Sequence, residues 1–174
     1  MNYYLHKLLH AIDTFTESSG KLVSWLVLFL VLLTCYDVTM RYVFQQGSVA
    51  LQELEWHVFA LIFLLGCAYT LKHDQHVRVD VFFHSKWLTD RQRAWINVVG
   101  MLLFLSPFCL LIIVSAWPFV FNAFIYNEGS PDPGGLPYRF LIKGAMILGF
   151  VLLLIQGIAE LIRNILILRQ GGQH

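Results

Sequence analysis

Charge is what this sequence has least of. Only 13% of its 174 residues are Asp, Glu, Lys or Arg, where soluble domains carry roughly 25%. The charges nearly cancel at net +1, so no basic face is available to hold nucleic acid, and neither end carries an acidic or basic tail. Cysteine is almost as scarce. Cys35, Cys67 and Cys109 each lie inside an apolar run with no CxxC pair, which excludes a zinc knuckle and a disulfide framework and leaves three free thiols expected to be buried. No AxA-like cleavage site follows the first apolar run, so that run is expected to be a retained anchor, not a removed signal peptide. No internal repeat or low-complexity tract is present, and no stretch is polar enough to make a soluble domain.

What is abundant is hydrophobic surface, at 57% of the residues, with a further signature of 15% aromatics. Charge-free stretches run 22–36, 56–71, 94–127 and 144–159. Extended to their polar punctuation they approach the roughly 20 residues that a bilayer-crossing helix needs. The expected fold is therefore all-α, a single membrane domain over 1–174 with transmembrane helices at 22–44, 51–71, 95–122 and 140–165. The third is longer than a straight crossing and holds Pro107 and Pro118, which predicts a tilted or kinked helix.

Lysine and arginine are retained on the cytoplasmic side, so their placement orients the spans. Lys7 and Lys21 precede the first span, Lys72, Arg78, Lys86, Arg91 and Arg93 fall between the second and third, and Arg163 and Arg169 lie near the end. This places both termini and the 71–94 loop in the cytoplasm. It leaves 127–139, "NEGSPDPGGLPYR" with its three prolines and three glycines, as a compact periplasmic turn. Within 1–20, Tyr4, Leu5, Leu8, Leu9, Ile12 and Phe15 recur at helical spacing while His6, Lys7, Asp13 and Glu17 take other faces. That pattern predicts a separate amphipathic helix on the inner membrane surface, a frayed polar terminus being the alternative.

The charges inside or beside the spans are the candidate functional residues. Asp37 and Arg41 stand four apart, acid first, the favourable order for an ion pair on one helix face. They read either as a substrate or proton site or as an anchoring pair near the outer boundary, and their place in the last turns of the span favours the anchor. Glu53 and Glu55 open the second span, where carboxylates sit well against the positive end of the helix dipole. Gln156, Glu160 and Arg163 fall within roughly 60° of one another around the fourth helix and form a polar stripe toward the cytoplasmic end. Such a stripe suits another protein surface or lipid headgroups better than an ion path. His57 meets no second histidine in the other spans, which removes the axial pair that a b-type haem requires.

Leu71 to Phe82, "LKHDQHVRVDVF", brings His73, His76 and Asp80 to a spacing that one helix face could turn into a metal site. The alternation in "HVRVDV" argues for an extended segment instead and spoils that triad, leaving a cytoplasmic elbow. Beyond it, Trp87 and Trp95 flank basic residues as interface anchors, and Thr89 with Gln92 forms a capping box that starts the next helix.

"RYVF" at Arg41 to Phe44, "ELEW" at Glu53 to Trp56, Gly66, and "HVRVDVF" at His76 to Phe82 stand in an order and spacing that resembles the small membrane subunit, the DctQ-like or Q subunit, of tripartite ATP-independent periplasmic (TRAP) transporters. The resemblance covers nearly the whole chain. The later "SPDPGGLPYRFLIKG", Ser130 to Gly144, is similar to a branch handling organic acids other than C4-dicarboxylates. The resemblance implies a scaffold of the bacterial inner membrane, not an enzyme, with no cofactor. It implies three partners: a large multi-span subunit that moves substrate and sodium by an elevator motion, a periplasmic binding protein that delivers an organic acid, and membrane lipids. His76, Arg78 and Asp80 are among the residues that carry it. Asp37, Arg41, Glu53, Glu55, Trp56, Gln156, Glu160 and Arg163 are expected at the interface with the large subunit or within the fold. Two other classes stay open on sequence: an independent proton-coupled carrier, and a redox membrane anchor.

Overall fold

The computed structural model describes residues 2–73 and 89–170 of the chain, and every described element is helical. Helix α1 spans Asn2–Tyr42 and α2 spans Val49–Lys72. Helix α3 (Asp90–Gly100), a π-helical turn (Met101–Leu105) and α4 (Ser106–Ile125) follow one another without a gap, and α5 spans Phe140–Gln170. Four stretches are long and apolar enough to cross a membrane: Lys7–Tyr42, Val49–Lys72, Arg91–Ile125 and Phe140–Arg169. Four helices able to cross a membrane, the number expected, are thus present.

Burial is inverted relative to a water-soluble protein. Trp25, Phe104 and Val114 each leave about 70% of their surface exposed, whereas the interior holds Ala68, Ala94, Ala116, Ala123, Ala145 and Ala159 together with Thr16, Asp37, Glu53, Gln156 and Asn164. Lipid tails are as apolar as leucine, so burying leucine against leucine gains little in a bilayer. Helices there associate through small residues that allow close approach and through polar groups that bond across the interface.

Packing makes a row. Helix α1 lies on α2, α2 on α5 and α5 on α4, while α5 also meets α3 and α1. Among the described residues α1 and α4 share no packed interface. The α2–α5 contact is close because of Gly149: a β-carbon added there would stand 2.9 Å from both the Cβ and the carbonyl oxygen of Leu64. Where α2, the π turn, α4 and α5 converge, Leu71, Met101, Cys109 and Leu153 form a buried cluster with Cys67 and Leu105 packed against it.

One element differs from the expectation, and a second shows a feature that the sequence did not name. The backbone has no break near residue 21, and α1 runs through 41 residues, roughly 60 Å at the helical rise, so the amphipathic segment 1–20 continues the first span. In the third span the interruption sits immediately before Pro107. Proline supplies no N–H to the preceding turn, and the ladder widens by one residue there, with both the N–H and the hydroxyl of Ser106 donating to the carbonyl of Met101. Pro118 lies inside α4, which continues past it to Ile125. The capping box forms as expected: the Thr89 N–H donates to Gln92 Oε1 at 2.9 Å and the Gln92 N–H to Thr89 Oγ1 at 3.4 Å.

Candidate functional site

The chain's polar side chains gather at the two ends of the row. At the loop end, α2 begins after Ser48, and Glu53, one turn in, is buried with 6% of its surface exposed. Its carboxylate accepts a hydrogen bond from the Ser130 hydroxyl on one oxygen and one from the Leu136 N–H, at 2.6 Å, on the other. Both donors belong to the turn between α4 and α5. That turn is tied to itself as well, by Ser130 N–H to Leu136 O at 3.0 Å and Arg139 N–H to Glu128 O at 2.9 Å. Asn127, Gly134 and Tyr138 have positive φ of 44°, 79° and 61°, so two non-glycine residues are held in the left-handed region by these bonds. Glu53 is therefore the receptor for the whole turn, a role that helix-dipole reasoning did not disclose.

Around this latch, Arg139 lies over the Trp56 ring, its guanidinium carbon 5.7 Å from the centroid, and Lys143 pairs with Glu128 while its Nζ sits 3.7 Å from the centroid of Phe119. Glu55 is half-buried, and its Oε1 has no hydrogen-bond partner. On α1, Asp37 and Arg41 form the ion pair that their spacing predicts. Asp37 retains only 1% exposure, with Oδ1 lacking a donor, while 39% of the Arg41 side chain stays exposed. Among the described residues no hydrogen bond or ion pair joins this pair to Glu53 or Glu55. The charges at this end therefore form two separate groups.

At the opposite end the stripe on α5 faces inward. The Thr16 hydroxyl of α1 donates to Gln156 Oε1 at 2.8 Å, and Gln156 Nε2 donates to Glu160 Oε1 at 3.3 Å. Arg163 bridges Glu160 on its own helix and Asp13 on α1. Lys72 at the end of α2 reaches back to Glu17 at 2.6 Å and to the Asp13 carbonyl at 3.0 Å, and His73 Nε2 lies 3.2 Å from the same Glu17 oxygen. Asn97 of α3 donates to Asn164 of α5 at 3.2 Å. All three stripe residues are thus part of a knot that includes α1 and α2, while α3 is tied to α5 beside it. Sequence reasoning did not connect Asp13, Thr16, Glu17 and Lys72 to that stripe. The available signal was that residues 13, 16 and 17 share one helical face. His76, Arg78 and Asp80, with the elbow that contains them, lie outside the described residues.

Most of these polar groups bond helix to helix or helix to turn, and the long helices between the two ends are apolar, which defines the class: an all-α membrane bundle of four helices able to cross a bilayer. Its family is specific: residues 30–166 match the family of tripartite ATP-independent periplasmic transporters, DctQ component, and the chain belongs to it. It is accordingly the small permease component of a TRAP transporter, a multi-pass membrane protein from a family of transport components, not of enzymes. No curated protein matches the chain.

Proposed function

We propose that this chain sits in the bacterial inner membrane with both termini in the cytoplasm, and that it packs against and steadies the large elevator-type subunit during sodium-coupled uptake of an organic acid. A periplasmic binding protein delivers that acid. The observation that carries the proposal is the family match over 30–166 on a row of helices whose buried polar side chains bond to one another. A scaffold needs that rigidity, because a partner that moves requires a part that does not. The open row supports the reading too. It leaves broad apolar faces on α1 and α4 that a second multi-span protein can cover.

In this reading Asp37 with Arg41, and Glu53 with Glu55 and Trp56, fasten the periplasmic ends of α1 and α2. The partly exposed Arg41 side chain is the group on α1 offered to the large subunit. Gln156, Glu160 and Arg163 keep the cytoplasmic ends in register. His76, Arg78 and Asp80 belong to the cytoplasmic connection.

Reconstituted vesicles test the proposal. The large subunit, the binding protein and a sodium gradient should drive organic-acid uptake only when this chain is included. Uptake by this chain alone, or undiminished uptake without it, would overturn the assignment.

A further inference from the structure

At the loop end a groove of about 560 Å³ opens between α2, α4 and α5. Phe63, Phe119, Met146 and Phe150 supply its apolar walls, and Trp56, Glu128, Arg139 and Lys143 stand around it. The two cations are differently engaged. Lys143 is committed to Glu128 and to the face of Phe119. Arg139, a half-buried residue, is fixed through its backbone, whose N–H bonds to the Glu128 carbonyl, and its guanidinium lies over Trp56. Among the described residues no carboxylate forms an ion pair with it at contact distance, although Glu53 lies near enough to feel its charge. Glu53 is occupied by Ser130 and Leu136.

A guanidinium carries five donors in a planar fork that fits oxyanions, and a charge held beside hydrocarbon gains more from such a partner than one in water. The occupant must place an oxyanion at the end of the span and an apolar tail along its depth. A phospholipid carries both in one molecule, an oxyanion in its headgroup and an apolar tail beneath it. Trp56 completes the pattern as an aromatic ring at headgroup depth.

We propose that this groove is a phospholipid site, in which Arg139 binds the phosphate and an acyl chain runs between Phe63 and Met146. The full chain, purified in a phosphate-free sugar detergent, is to be titrated by native mass spectrometry with phosphatidylglycerol, with diacylglycerol of the same tails, and with inorganic phosphate. The expected result is a single phosphatidylglycerol retained at least roughly fivefold more tightly than diacylglycerol, as a charge-assisted contact requires. Arg139→Ala should erase that preference and Arg139→Lys should keep part of it. Met146→Trp, which narrows the groove and spares the arginine, should weaken phosphatidylglycerol binding by a similar factor. Equal retention of the two lipids would overturn the proposal, as would a preference unchanged in Arg139→Ala. Inorganic phosphate binding as tightly as the lipid would make this a free-anion site and would also overturn it. Should Arg139→Ala fail to fold, Met146→Trp decides, and undiminished lipid binding there counts against the proposal.

Discussion

Thr16 and Gln156, separated by 140 residues of chain, are joined by a buried hydrogen bond of 2.8 Å that ties the first helix to the last. Neither side chain has water to turn to, since Gln156 is fully buried and Thr16 keeps 4% exposure. Interhelical bonds of this kind contribute about 0.6 kcal/mol on average, and up to about 1.7, in membrane double-mutant cycles. Thr16→Val should therefore destabilise the protein by about 1 kcal/mol. Gln156→Leu should cost more, because it also removes the contact to Glu160 and leaves Thr16 unpaired. A coupling near zero in the double-mutant cycle, read by unfolding in detergent, would show that the bond does not hold the helices.

Glu53 predicts a local effect at the other end. Glu53→Ala removes the acceptor of both the Ser130 hydroxyl and the Leu136 N–H. The two non-glycine residues at positive φ are then held by the turn's own backbone bonds alone. Limited proteolysis should cut within 128–138 several-fold faster in the variant, while helix content by circular dichroism stays unchanged. Equal cleavage rates would mean the turn holds itself.

The close contact at Gly149 predicts a packing effect. Gly149→Ala places a methyl 2.9 Å from the Leu64 carbonyl oxygen, which is backbone and does not move aside. Overpacking of this kind costs about 1–3 kcal/mol. Gly129→Ala, with open space around its Cβ and an ordinary φ, should leave the melting temperature nearly unchanged. Indistinguishable melting of the two variants would contradict the α2–α5 contact.

Arg41 predicts an effect on assembly. Arg41→Ala leaves the buried Asp37 carboxylate without its partner and removes a partly exposed cationic side chain. Recovery of the large subunit with the tagged chain should fall, and uptake with it, with no chemical step abolished. Unchanged recovery and uptake would remove Arg41 from the interface and the fold.

The helices and their order were legible in the sequence, because charge-free runs bounded by polar residues leave few alternatives in a bilayer. So was the Asp37–Arg41 pair, a contact within one helix. The continuity of α1 was not, since Ser18, Ser19, Gly20 and Lys21 read locally as punctuation. Within the helix, however, the hydroxyls of Thr14, Ser18 and Ser24 donate to the carbonyls four residues earlier, and Ser19 to the carbonyl three earlier. The Tyr69 ring of α2 lies directly over Gly20. What resembled a stop is a docking notch. Glu53 escaped for a different reason: helix-dipole reasoning already explained an acid in a first turn, and its true partners lie 77 and 83 residues away. The stripe on α5 was visible from helical spacing, but its direction depended on where α1 packs, which no local pattern encodes.

The central claim is that this chain is the stationary companion of a larger transport subunit. Gentle affinity purification from native membranes, followed by identification of what remains bound, tests it most directly. A large hydrophobic protein of many spans should be recovered in stable proportion with the tagged chain. Recovery of the chain alone, or bound only to copies of itself, would contradict the account.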